Sequence, residues 1–196
     1  MQRDITRWCR ECIPCQVSKT TRHTIPVLQE IPVPHRRFTE VTLDLVGPLP
    51  PSQGFRYLLT MINRSTRWFE CLKLKDITAS SVISGFLRAW VSRYGVPVTV
   101  VTDQGGQFTG SLWATLCTKL SIHHGVTSSF HPEANGLIER MHRRLKPSLR
   151  AKCQSSSWST ELPLILLGIR SAPRETDAIS SFERVLGVPP ILPGDY

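Results

Sequence analysis

The 196-residue chain is long enough to bury one sizeable core, and its composition excludes both a membrane protein and a disulfide-stapled secreted domain. No run approaches the roughly 20 consecutive apolar residues that a membrane span needs, and the first residues lack the apolar segment of a secretory signal. The six cysteines are therefore interpreted as thiols or metal ligands. Twenty-four Lys and Arg against fifteen Asp and Glu give a formal net charge of +9, which favours a polyanionic partner.

Residues 1–36 are predicted to form a short separate segment ahead of a domain over residues 37–196. Cys12 and Cys15 in this segment have the C-x2-C spacing of half a zinc site, and zinc normally takes four nitrogen or sulfur ligands. The downstream His23 and His35 have a spacing that fits no zinc finger. We therefore expect an incomplete, zinc-finger-like segment and no Zn²⁺ binding by this chain alone.

The domain is predicted to open with three strands. Residues 39–46 alternate between apolar and polar side chains, which is typical of a strand, and Asp44 falls on the opposite face from Leu43. Two further apolar runs, 57–62 and 68–74, are joined by the short polar sequence NRSTR. This pattern predicts a hairpin.

A helix, a buried strand and a second helix are predicted next. Thr78 is the expected N-cap of the first helix, which Gly95 ends. The short apolar run 98–102 suits a strand buried on both faces. The second helix carries its apolar residues between 112 and 120, and residues 122–126 predict a fifth strand.

The remaining chain is predicted to be helical. A loop over residues 127–135 leads to a third helix, with Glu139 in about its first turn and Pro147 expected to kink or break it. A last apolar helix around residues 158–169 precedes a proline-rich tail. This order predicts an α/β domain with a mixed sheet flanked by helices.

Three carboxylates stand where such a fold places chemistry. Asp44 lies in the middle of a core strand, where an acid is costly unless it is paired or bound to a metal. Asp103 follows a buried strand directly, ahead of the glycine turn Gln104–Gln107, and Glu139 lies on the third helix. If they converge, they supply the oxygen ligands that a pair of Mg²⁺ or Mn²⁺ ions needs.

A row of cations accompanies Glu139. Arg143, Lys146 and Arg150 follow it by 4, 7 and 11 residues, so they share its helix face and would guide a phosphate backbone towards the carboxylates. The alternative is a solvated charged face with an ordinary Glu–Arg pair. The net charge of the whole chain has the same two interpretations: binding of a polyanion, or a basic surface that serves only solubility.

Several segments resemble those of integrases from gypsy-type LTR retrotransposons, which are relatives of retroviral integrases: TDQGGQF, SSFHPEANGLIERMHRRLK and TLDLVGPLP. The likeness continues through WVSRYGVP and LPLILLGIRSA into LPGDY, so it covers nearly the whole chain. It implies a ribonuclease H-like fold and a metal-binding triad on Asp44, Asp103 and Glu139. It also implies DNA integration by trimming of 3′ ends and their transfer into target DNA, carried out by a homo-oligomer in the nucleus.

The resemblance further suggests residues that contact DNA. His131 and Asn135 would touch DNA or position the attacking group, whereas their alternative roles are a turn residue for His131 and a helix N-cap or Asx-turn for Asn135. Gln107 and Lys146 are candidates for contacts with the DNA end. His123 and His124 have no metal-ligand spacing with the acids and are predicted to be strand or surface residues.

The sequence also departs from the family pattern. The His pair that completes the family's zinc site is missing, and Asn63 stands where the family usually has Asp, which we expect to affect a turn and not the metal site. We therefore expect a piece of a pol polyprotein, or a decayed or host-adopted copy. Whether this copy is an enzyme is left open. The alternatives are a DNA-binding protein without catalysis and a hydrolytic ribonuclease H-type nuclease, which the HPEANG and ER residues disfavour.

Overall fold

The computed structural model describes Arg7, Glu11 and residues 36–127, 132–152, 158–174 and 177–192. The chain divides into two units, Met1–Pro32 and Val33–Tyr196. Except for Arg7 and Glu11, the described residues belong to the second unit. The predicted zinc half-site at Cys12 and Cys15 lies outside the described residues.

Within this part of the chain, five strands form one mixed sheet: β1 (Glu40–Val46), β2 (Tyr57–Asn63), β3 (Phe69–Leu74), β4 (Thr99–Thr102) and β5 (His123–Val126). The strand order is β3-β2-β1-β4-β5. The first three strands form an antiparallel meander, and β4 and β5 then add in parallel on the other side of β1. The predicted mixed five-stranded sheet is confirmed, with β1 at its centre.

The helical elements are α1 (Ala79–Phe86), a π-helical turn (Leu87–Val91), α2 (Ser92–Tyr94), α3 (Gly106–Thr109), α4 (Ser111–Lys119), α5 (Pro132–Lys152), α6 (Trp158–Ser171) and α7 (Ser181–Leu186). The four predicted helices are present, the first of them divided in three, and two short helices, α3 and α7, were not predicted. The Thr78 side chain caps α1 by accepting a hydrogen bond from the backbone N–H of Ser81, as predicted. Gly95 ends α2 with a φ of +83°. In the part of the chain described, no helix is long and apolar enough to cross a membrane.

The alternation along β1 separates two cores, one on each face of the sheet. Val41 and Leu43 belong to a core that includes Phe86 of α1 and Trp113 of α4. Val46 belongs to the opposite core, which α5 and α6 cover. Asp44 has the same strand parity as Val46, so the α5 side of the sheet is the side on which its carboxyl group lies.

Helix α5 begins earlier than predicted. Its first residue is Pro132, so Asn135 is inside the helix and is not its N-cap, and Glu139 lies in the third turn instead of the first. Proline suits the first helical position because its missing N–H would have no intrahelical partner there. The predicted loop over residues 127–135 is therefore wrong for residues 132–135, which belong to the helix.

The predicted break at Pro147 does not occur, because α5 continues through it to Lys152. Leu145 and Leu149, on either side of the proline, are buried in the core against the sheet. This packing holds the helix together across the one hydrogen bond that proline removes.

Helix α7 lies where the sequence pattern predicted only a proline-rich tail. It begins with a capping box, in which the Ser180 side chain accepts a hydrogen bond from the Glu183 N–H and the Glu183 carboxylate accepts one from the Ser180 N–H. The S-x-x-E spacing is a sequence signal for a helix start that could have located it.

Candidate active site

Asp44 is half-buried on β1, on the sheet face that α5 covers. Its Oδ1 accepts a hydrogen bond of 2.7 Å from the backbone N–H of Leu45. Its Oδ2 lies 3.7 Å from Nδ1 of His142, a residue of α5. One carboxylate oxygen is therefore engaged by the backbone, and the other faces the helix.

Asp103 follows β4 directly and lies at the same edge of the sheet. The parallel register of β1 and β4 pairs Thr42 with Val101, so Asp44 and Asp103 are each two residues beyond that pair. Oδ1 of Asp103 accepts a hydrogen bond of 3.1 Å from the N–H of Gly105, which closes the turn after the strand. The parallel pairing thus places Asp103, at the carboxyl end of β4, beside Asp44 in the adjacent strand β1.

Glu139 reaches the site from α5 and is exposed. The helix is fixed beneath it, because Ile138 and Leu145 are buried in the core against the sheet. The position of the Glu139 backbone is therefore set by packing, while its carboxylate remains open to solvent and ligands.

The three carboxyl groups act on one another electrostatically. The pKa of Asp44 is raised to about 6, first because burial disfavours its charge and further because of the negative charges of Asp103 and Glu139. The N–H of Leu45 and the ammonium of Lys146 act in the opposite direction. Asp103, Glu139 and Lys146 therefore all lie near enough to Asp44 to influence its ionisation.

Nevertheless, among the side chains that the structure describes, no three His, Cys, Asp or Glu residues are grouped closely enough to hold a metal ion. Neighbouring carboxylates repel one another when both are ionised. The oxygen-only donors and the raised pKa of Asp44 both fit a hard divalent cation, which would offset that repulsion.

His142 is a residue of this site that the sequence reasoning missed. It is buried, and its Nε2 lies 2.9 Å from Oγ1 of Thr60, whose hydroxyl donates to the backbone carbonyl of Asp44. Burial, with a further effect of Lys146, lowers the pKa of His142 to about 4, so the imidazole is neutral at pH 7 and its contact with Asp44 is not an ion pair. The sequence signal that could have identified His142 is its spacing: it follows Glu139 by three residues and lies on the side of the helix that is buried.

A second Thr–His pair supports Asp103. The Thr102 hydroxyl donates to the backbone carbonyl of Asp103 and lies 2.9 Å from Nε2 of His124 on β5. His124 is therefore a strand residue, as predicted, and it contributes to holding the end of β4. Each aspartate backbone is thus fixed by a threonine that contacts a histidine of a neighbouring element.

Gly105 lies in a crowded part of the turn after Asp103. A Cβ at Gly105 would meet the side-chain amide of Gln107, which is the end of a flexible side chain and can move, and would lie 3.0 Å from Oδ1 of Asp103. At Gly106 a Cβ would meet nothing within 4 Å. The side-chain amide of Gln107, a predicted DNA contact, therefore lies against the turn that follows Asp103.

The predicted basic residues Arg143, Lys146 and Arg150 are exposed along α5 on the Glu139 side. Lys146 is near enough to Asp44 to lower the pKa of that carboxyl group. Of the other predicted DNA contacts, His131 lies outside the described residues. The structure describes the backbone of Asn135 but not its side chain.

Asn63 organises the turn between β2 and β3, as expected. Its Oδ1 accepts hydrogen bonds from Ser65 and from the backbone and hydroxyl of Thr66. Its Nδ2 donates to the carbonyl of Glu40 at 3.0 Å, which an aspartate could not do when ionised. The residue is 1% exposed and belongs to the turn, at the far end of β2 from the partner of Asp44.

Comparison with known proteins agrees with this geometry. Residues 34–132 match the integrase core domain family. The chain is also 29% identical over 192 residues to the Gag-Pol polyprotein of feline leukemia virus, a match that covers 96% of this chain. The chain spans only about a tenth of the length of the curated polyproteins it matches.

Solved structures of the same shape include the catalytic core domain of BIV integrase, with a TM-score of 0.63 and 20% identity over 76% of this chain and 95% of that chain. The HTLV-2 integrase catalytic core domain, solved in complex with magnesium in a trimeric form, has a TM-score of 0.61 and 18% identity over 74% of this chain and 95% of that one. These likenesses show the ribonuclease H-like fold. They do not distinguish a gypsy-type origin from a retroviral one, so the narrower assignment stays a prediction.

Proposed function

Because the chain belongs to the integrase core domain family, we propose that it is a metal-dependent polynucleotidyl transferase acting on the DNA of a retroelement. Its reactions would be 3′-end processing and strand transfer. Both are displacements at a phosphodiester, with water or a DNA 3′-hydroxyl as the nucleophile. The observation that carries the proposal is the placement of Asp103 beside the half-buried Asp44 by the parallel β1–β4 register, with Glu139 near enough to contribute to the raised pKa of Asp44.

Asp44, Asp103 and Glu139 are the residues that would hold Mg²⁺ or Mn²⁺. Such ions, when bound, stabilise the charge on the attacking and leaving oxygens of an in-line displacement. A backbone N–H holds each of the two aspartates: that of Leu45 for Asp44 and that of Gly105 for Asp103. Their positions should therefore change little when a ligand binds. Glu139 remains exposed and free to close on a cation from α5.

His142 and Thr60 would position Asp44 and not take part in the chemistry directly. The Thr60 hydroxyl donates to the Asp44 carbonyl, so Nε2 of the neutral imidazole must donate to the Thr60 oxygen. Nδ1 then presents a lone pair towards Asp44 Oδ2 at 3.7 Å. This chain of contacts fixes the backbone of Asp44, while the Leu45 N–H holds one oxygen of its carboxyl group.

DNA would be held beside the carboxylates by Lys146 and Arg143, with Arg150 one turn farther along. The Lys146 ammonium is near enough to affect Asp44, so a phosphate bound by it would lie next to the acids. Gln107 would contact the DNA end from the opposite side, across the Asp103 turn. Assembly as a homo-oligomer and action in the nucleus complete the proposal.

The test is a nicking and strand-transfer assay on element-end DNA with Mg²⁺, using Asp44→Asn, Asp103→Asn and Glu139→Gln. Each variant should lose activity while keeping its fold, as judged by circular dichroism. Glu40→Gln is the matched control, because it removes a carboxylate from the far end of β1, where Glu40 pairs with Arg64. The proposal fails if any of the three variants retains the Mg²⁺-dependent activity of the unmodified chain.

A further inference from the structure

Five arginines line an open groove of about 540 Å³ beside α5. Arg140, Arg143 and Arg144 come from the helix, Arg67 from the β2–β3 turn and Arg174 from the segment after α6. Around the helix, Arg140 and Arg144 lie about 100° and 140° from Glu139, since each residue advances about 100°. The groove is therefore on a different flank of α5 from the carboxylates.

The groove concentrates positive charge without matching acids. In the part of the chain that the structure describes, Arg67, Arg140 and Arg144 make no ion pair with a carboxylate. Arg174 is the exception, because its Nη1 lies 3.6 Å from Asp177, and that carboxylate is shared with a further arginine. An anion in the groove would relieve the repulsion among these guanidinium groups.

Arg67 is the member that most needs explanation. Burial and the charges of neighbouring arginines, Arg174 and Arg140 first among them, lower its pKa to about 10. Its backbone also has a φ of +63°, a left-handed conformation that most residues with a Cβ disfavour and that Gly or Asn adopts more readily. A guanidinium is thus kept at this position against both electrostatic and backbone preferences.

Phosphodiesters are the anions that this groove fits best. A guanidinium matches a phosphate through two parallel N–H donors, and a DNA strand presents one phosphate about every 3.4 Å, which suits several arginines in a row. Leu137 and Met141 form an apolar floor between the cations, against which a sugar or base edge can lie. Arg143 lies between this flank and the Glu139 face, so a strand can pass from one to the other.

We infer that the Arg67–Arg140–Arg144–Arg174 groove is a second DNA-backbone site, which holds a segment of DNA beyond the part that lies at the carboxylates. The inference rests on the proposed function, because the groove would hold the continuation of the substrate DNA that lies at the Glu139 face. Arg143 would contact the DNA between the two. It adds a binding surface formed by the β2–β3 turn and the residues after α6, which carry none of the predicted contacts.

The experiment measures binding of a short DNA duplex by fluorescence anisotropy as a function of salt, in EDTA. Arg144→Gln and Arg67→Asn should each flatten the slope of log K against log salt by about 0.9, the value for one lost phosphate contact on duplex DNA. Arg67→Asn is informative about folding as well, because Asn accepts the left-handed backbone and should leave the melting temperature unchanged or higher. Arg88→Gln is the matched control, since Arg88 is exposed on the helical turn over the opposite face of the sheet.

If the salt dependence of DNA binding is unchanged in both groove variants, the inference is wrong. It is also wrong if Arg88→Gln flattens the slope equally, because the effect would then come from the net charge of the protein alone. If a polyglutamate peptide binds more tightly than DNA and loses that binding in both variants, the groove serves an acidic protein partner and the inference is wrong. EDTA removes any metal contribution, so these outcomes are independent of the triad. If Asp44→Asn loses Mg²⁺-dependent activity while the groove variants keep the salt slope of the unmodified chain, the proposed function holds and only the groove inference fails.

Discussion

Asp44 is a carboxyl group held in surroundings that disfavour its charge. Burial and the nearby Asp103 and Glu139 together raise its pKa from 3.8 to about 6. The folded chain therefore binds a proton at Asp44 more tightly than the unfolded chain does. Above pH 6 the ionised group destabilises the metal-free protein, by roughly 3 kcal/mol at neutral pH, and this penalty disappears as the pH falls through 6 towards 3.8.

Asp44→Asn should consequently stabilise the metal-free chain at pH 7 while abolishing activity. Asn keeps an oxygen for the Leu45 N–H and places an amide donor towards the His142 lone pair. We expect a higher melting temperature at pH 7 in EDTA, by about 2–4 °C per kcal/mol for a chain of this size. The difference should shrink towards pH 4 and on adding Mg²⁺. A variant that melts below the unmodified chain at pH 7 in EDTA would contradict this account.

At the scale of single elements, packing and capping determine where the helices run. Buried leucines carry α5 through Pro147, and a reciprocal cap starts α7 at Ser180. Phe182 of α7 packs against Trp68, next to the start of β3, and Val185 accepts a hydrogen bond from Arg37. This short helix therefore fastens the end of the described chain to the domain.

Ser180→Ala should remove the cap of α7 and cost about 1 kcal/mol of folding free energy. The Ser180 hydroxyl is buried and exchanges hydrogen bonds with Glu183, so its loss removes the hydrogen-bond acceptor of the Glu183 N–H in the first turn of the helix. Urea unfolding measures the change. Ser111→Ala at the start of α4 is the control, because that residue is exposed and provides no side-chain cap, and its effect should stay within about 0.5 kcal/mol.

At the scale of the whole molecule, one buried acid joins the two helical layers through the sheet. Glu70 on β3 is 4% exposed; Tyr94 of α2 donates to it at 2.6 Å, and Arg170 of α6 pairs with it at 2.7 Å. Arg170 also stacks over Trp68. Hydrogen bonding and burial by this cluster raise the pKa of Tyr94 to about 12, with burial the larger cause. The two layers are therefore coupled at the outer edge of the sheet.

Glu70→Gln should destabilise the chain by about 3 kcal/mol or more, because it leaves the Arg170 charge buried without its partner. The double variant Glu70→Gln/Arg170→Met should recover part of that loss, since no unpaired charge remains. Urea unfolding of the two single variants and the double variant measures the coupling. Additive effects would mean that the pair contributes nothing of its own to the link between the layers.

Local patterns determined much of the fold. The alternation along residues 39–46 placed Asp44 on the face opposite Leu43, and Thr78 and Gly95 marked the ends of a helix, because these features depend on residues within one or two turns of each other. The motif resemblance then identified the family. What those signals could not provide was the start of α5, since the helical state of residues 132–136 depends on the packing of residues farther along the helix, such as Ile138 and Leu145.

The sequence by itself determined the alternation of polarity along β1 and the basic row that begins at Arg143, and it predicted Asp44, Asp103 and Glu139 as a candidate metal site. Only the tertiary structure decided what surrounds them. His142 is 98 residues from Asp44 in sequence and Arg67 is more than 70 from Arg140, so no local pattern could have paired them. Their proximity arises because α5 packs across a sheet whose central strand is β1, and burial in that packing sets the ionisation of the groups beneath it.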